Sequence, residues 1–118
     1  MRSRARVMTI VGLGMALALL AFAGYFTSNG RVYPTAGSTE TMFEWSIEYN
    51  LDEEEEPPSC YLKIWDGEWL IGSYMMKATT LEGIVSYTYS RTLSAGNYAF
   101  SFHITGLSTI RQPGPTVS

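Results

Sequence analysis

One cysteine and one histidine in 118 residues exclude a good deal of chemistry. Cys60 has no partner within the chain, so no intramolecular disulfide can form. It is either buried or available to another molecule. A zinc site needs three or four N, S or O ligands, usually clustered, and His103 with Cys60 falls short of that. A Cys–His dyad would need the fold to bring the two together, yet strand alternation sends Cys60 inward and His103 outward. The sequence also lacks G-x-S-x-G, a P-loop, H-E-x-x-H and a strand–helix G-x-G-x-x-G. Gly12-Leu13-Gly14 is too short for a nucleotide loop. Carboxylates concentrate in one loop and on wet strand faces, with no walled cleft in which to tune their pKa values. These gaps argue against an enzyme and against any cofactor. Helical periodicity is missing after Phe26.

What is present begins with Arg2, Arg4 and Arg6, followed by an apolar run from Val7 to Phe26. Twenty residues at about 1.5 Å each make a helix of roughly 30 Å, enough to cross a bilayer. The run also holds Ala21-Phe22-Ala23, an A-x-A pattern that signal peptidase could cut before Gly24. Residues 1–26 are therefore read as a membrane anchor or a signal peptide. A buried core helix is the third reading, and the flanking arginines oppose it. Anchor and signal peptide give the same topology, with arginines in the cytoplasm and the remainder extracytoplasmic. The protein is thus single-pass, N-in/C-out, or secreted after cleavage near Ala23. The formal charge is −3. Deleting the first 23 residues removes three arginines and leaves −6, which disfavours nucleic acid as a partner.

Residues 27–40, rich in Gly, Pro, Ser and Thr, read as a linker or a loosely held first strand. Val32 and Tyr33 could pair at a sheet edge, with Pro34 ending the pairing. From Phe43 to Tyr49 apolar and polar residues alternate, the mark of a half-buried strand. NLDEEEEPPS, residues 50–59, is an exposed loop: four glutamates repel one another and two prolines cannot join a ladder. Cys60–Trp65 alternates again and meets Asp66-Gly67, a strong hairpin signal of type I′. A two-residue turn there puts Cys60, Leu62, Ile64, Trp69 and Ile71 on the core face. Tyr61, Lys63, Trp65, Glu68 and Leu70 take the other. Residues 77–83 look like a polar loop. Val85, Tyr87 and Tyr89 alternate with hydroxyls. After Leu93-Ser94-Ala95-Gly96-Asn97-Tyr98, the rings of Tyr98, Phe100 and Phe102 alternate once more. Ile110 and Val117 suggest a last strand. About six or seven short strands at regular spacing make an antiparallel all-β sandwich over residues 41–118.

The acidic loop, Asp66-Gly67, Tyr87/Tyr89, the Thr92–Tyr98 corner and Phe100/Phe102 occur in a suggestive order. In that order the chain resembles immunoglobulin-like, PKD-like modules of secreted bacterial and archaeal surface proteins. It departs from them in having a glutamate run where they space aspartates around a glycine. It also differs in standing alone behind an apolar leader. The resemblance implies an Ig-like spacer, adhesion or assembly module without activity of its own. Its partners would be envelope or cell-surface proteins, or further copies of itself. Within such a fold Leu93, Gly96 and Tyr98 form a structural corner, the tyrosine hydroxyl bonding nearby backbone.

Two surfaces remain as candidate sites. Asp52–Glu56 could attract Ca²⁺, but ordered calcium sites space their carboxylates and turn on a glycine. A solvated loop or a contact for a basic partner are the other readings. The second surface is aromatic. Tyr61 and Trp65 lie about 13 Å apart on one strand face, with Leu70 and Tyr74 nearby. Exposed rings on a sheet can receive a partner protein or stack on a glycan. Alternatively the tail, a loop or the other sheet covers part of this face.

Overall fold

The computed structural model describes residues 24–118, so residues 1–23 of the 1–26 leader, with the A-x-A site, lie outside the described residues. The alternating residues build two sheets that face each other. One contains β1 (Tyr25–Phe26), β2 (Arg31–Tyr33), β4 (Phe43–Asn50), β7 (Lys77–Leu81) and β8 (Ile84–Arg91). Its order is β1-β4-β8-β7, with β2 beside β1 on β4. The other contains β3 (Ala36–Gly37), β5 (Tyr61–Asp66), β6 (Trp69–Met75), β9 (Gly96–Ile104), β10 (Leu107–Ser108) and β11 (Gln112–Val117). Its order is β3-β11-β9-β5-β6, and β10 pairs with β9. Every pairing is antiparallel except that of β3 with β11. The described chain is all-β and sandwich-like.

The two inner faces meet in a ring-rich core. Phe43, Trp45, Ile47 and Tyr49 enter it from β4, Val85 and Tyr87 from β8. Cys60, Leu62 and Ile64 enter at β5, and Tyr98, Phe100, Phe102 and Ile104 from β9. Phe100 and Phe102 meet edge to face with centroids 5.6 Å apart, an arrangement the ring quadrupoles favour. The Trp45 indole N–H finds no acceptor among the described residues, a cost of about 1–3 kcal/mol that the surrounding burial outweighs. Cys60 is fully buried, as alternation requires, with Sγ 3.8 Å from Met76 Sδ. Burial pushes its thiol up to about 12, so roughly one in ten thousand is ionised at pH 8. Iodoacetamide at pH 8 is therefore expected to leave the native protein unmodified and to alkylate Cys60 once the chain is unfolded in urea. Rapid labelling of the folded protein would contradict the placement.

Several elements differ from expectation. Tyr25 and Phe26, the end of the apolar run, form β1 against Tyr49 and Asn50. The 27–40 stretch supplies β2 and β3, and Val32 belongs to the core. Residues 77–81, expected as a loop, form β7. They escape notice because all five are exposed and show no alternation in burial. Glu82 and Gly83, both at positive φ, turn β7 into β8, which is the type I′ pattern. The β5–β6 turn consists of Gly67 and Glu68, because Asp66 pairs with Trp69. Only Gly67 has positive φ there, as in type II′. A register shift follows, with Ile64 opposite Gly72 and Trp65 opposite Leu70, leaving Ile71 as the extra residue. Beyond it Gly72 and Tyr74 take the inward positions. Trp69 and Ile71, expected in the core, are instead exposed.

The 93–98 corner has the expected form. Leu93 and Tyr98 are buried, and Tyr98 Oη donates to the Ser94 carbonyl at 2.8 Å. A Cβ at Gly96 would sit 3.2 Å from the Tyr98 ring, so a side chain there would push the ring aside.

Candidate functional site

The outer face of the second sheet carries the most distinctive chemistry. Register places Tyr61 beside His103, Lys63 beside Ser101 and Trp65 beside Ala99. On the far side of β5 stand Met75, Ser73 and Leu70. Tyr61 is 38% exposed and Leu70 is also open. Trp65 is only half-exposed, because the Arg111 guanidinium lies 3.8 Å over its ring, a cation–π contact. The Trp65 indole N–H also donates to Ser101 Oγ at 3.4 Å. Ser101 Oγ lies 2.7 Å from His103 Nε2. With the imidazole neutral and protonated on Nδ1, the hydroxyl donates to Nε2 while accepting from the indole.

This Trp65–Ser101–His103 relay was not anticipated. Its signal was available in the spacing of Ser101 and His103, two residues apart on one strand face. Ser101 is only 4% exposed, so its oxygen holds the indole in place more than it faces solvent. Burial, and then Lys63, hold the His103 pKa below the ordinary histidine value of 6.5. The unfolded chain therefore binds a proton more readily than the folded one in the interval below 6.5. Stability from this group is complete above 6.5 and is lost as pH falls toward the folded value. Thermal melts should show the protein less stable at pH 5.5 than at pH 7.5, and His103→Gln should reduce that difference. An unchanged difference in the variant would remove His103 from the account.

Tyr74 does not join the outer face. It lies opposite Leu62, inside the sandwich, stacked on Tyr89 at 5.0 Å with Arg91 4.9 Å from its ring. The bulge at Ile71 reverses the phase of β6, which is why a simple count of residues misplaced it. Trp69, missed as a surface residue, is 80% exposed at the hairpin end.

The acidic loop has one member unlike the rest. Glu55 accepts from the Gly24 and Asp52 backbone N–H groups, each at 3.1 Å, and from Tyr49 Oη at 2.7 Å. Burial and this carboxylate push the Tyr49 phenol well above its usual range. The Glu55 side chain thus ties the loop to β4 and to the start of β1, while Glu53, Glu54 and Glu56 face solvent. Among the described residues no group of three His, Cys, Asp or Glu side chains is placed to hold a metal. Tyr87 Oη closes the other end of the loop by donating to the Pro58 carbonyl.

No protein-family model matches this chain, and no curated protein sequence matches it.

Proposed function

We propose that this protein is a non-enzymatic, extracytoplasmic Ig-like module that acts in adhesion or assembly. The order β2-β4-β8-β7 against β3-β11-β9-β5-β6 carries the reading. It corresponds to the A-B-E-D and G-F-C arrangement of immunoglobulin-like sandwiches, with a tyrosine corner at the start of the strand equivalent to F. The chemistry of the interior agrees with this: rings fill it, and its thiol is held protonated. The binding surface would be the outer face of the second sheet, around Tyr61, Lys63 and Leu70. A photo-crosslinking amino acid at Tyr61 should give discrete protein adducts on intact cells, while one at Ser46, on the opposite outer face, should not. Equal labelling from both, or none, would defeat the proposal.

The arginine leader supports export. Mass spectrometry of the exported protein separates a retained anchor from an N-terminus at Gly24. Glycan binding, the alternative, draws less support from this geometry, since Arg111 covers one face of Trp65 and Tyr74 points inward. A glycan array with tryptophan fluorescence would revive it if Trp65→Ala abolished a signal without unfolding the protein.

A further inference from the structure

We infer that β6 is a self-pairing edge, joining β6 of a second copy antiparallel about a two-fold axis at Ser73. The inference rests on the interaction-module reading and names its partner. Among the described residues β6 ends its sheet. The Met76 N–H donates to the Cys60 carbonyl at 2.9 Å. By antiparallel alternation, Tyr74 and Gly72 then turn their backbone groups toward β5, while Ser73 and Met75 aim theirs at open solvent.

An open edge of this kind is a template for another strand, and proteins usually guard it with charge, proline or shortness. The other edges are guarded. Along the first sheet, β7 opens with Lys77 and is followed by Glu82, and β1 and β2 are two and three residues long. In the second sheet, β3 has two residues and follows Pro34. By contrast, residues 69–76 read WLIGSYMM, without a charge or a proline. Trp69, Leu70, Ile71 and Met75 are all exposed there, Met75 at 60%.

A second copy is the occupant that these features fit. The exported part carries a net charge of −6, so most surfaces of two copies repel each other. An uncharged seam avoids that repulsion and leaves no ion to desolvate. Pairing about Ser73 sets Ile71 of each copy beside Met75 of the other, apolar against apolar. The bulge at Ile71 limits the regular ladder, and a two-fold contact consumes the edge on both sides. The product is a closed dimer with one sheet running through both copies, and no fibre forms.

The test uses the full chain in mild detergent. In the paired state the two Ser73 Cα atoms lie about 5.5 Å apart, within the roughly 4.4–6.8 Å that a disulfide spans. Ser73→Cys should therefore oxidise to a covalent dimer, while Thr79→Cys on the β7 edge should not. Buried Cys60 does not compete. Met75→Lys should raise the dimer dissociation constant at least about tenfold in sedimentation equilibrium, with an unchanged far-ultraviolet circular-dichroism spectrum. A wild-type protein that is monomeric at every concentration overturns the inference. So does equal cross-linking from both cysteine variants, or a Met75→Lys dimer as tight as wild type. A monomer that still gives Tyr61 adducts to other proteins overturns self-pairing alone. Loss of both results removes the module reading as well.

Discussion

Phe102→Ala is expected to lower stability by about 3–5 kcal/mol in urea unfolding, the usual range for deleting a fully buried ring. Phe102 is inaccessible on central strand β9, opposite Leu62 and in edge contact with Phe100. It also closes over Gly30, which has φ +78°. A Cβ at Gly30 would run into the Phe102 ring and lie 2.9 Å from the Ser46 carbonyl. Gly30→Ala should thus be destabilising on two grounds, ring overlap and backbone strain. Combining the two substitutions separates them. With the ring gone, Gly30→Ala loses its overlap with the ring and keeps the Ser46 carbonyl contact and the backbone strain, so the double variant should be more stable than the sum of the single losses predicts. A Phe102→Ala loss below about 1 kcal/mol would mean the two sheets do not close over this ring.

Tyr98→Ala comes next, with a loss of several kcal/mol through the cavity it leaves at the corner. Tyr98→Phe isolates the hydroxyl. It keeps the ring and frees the Ser94 carbonyl from its 2.8 Å partner, so about 1 kcal/mol is expected. The pair of values distinguishes packing from hydrogen bonding at this position. Equal losses would assign the whole effect to the hydroxyl. A neutral Tyr98→Phe would show water replacing it without cost.

How much of this could be read in the chain varies by element. Phe43–Tyr49 and Tyr98–Phe102 were legible because each strand has one wet and one dry face, and period-two alternation survives only in that setting. The corner was legible because Leu93, Gly96 and Tyr98 each answer a local steric demand. Residues 77–81 were not, since an edge strand with all five residues exposed has no pattern to display. The phase of β6 was hidden by a single extra residue at Ile71, and everything beyond it changed faces, Tyr74 included. Nor could local sequence reveal that Arg111 covers Trp65 from 46 positions away. Glu55 was lost in a run of four identical residues, and only the fold tells it from its neighbours.

The Glu55 clasp on Gly24 has a consequence for reach. Tyr25 is already in a ladder, so nothing between residue 24 and the sandwich can act as a stalk. Residue 24 is thus fastened to the folded unit itself, so a partner that engages this end meets the sandwich and not a free tail between the two. If the leader is removed, the amine of Gly24 becomes an ammonium beside that carboxylate, and the released molecule starts with its first residue already fastened.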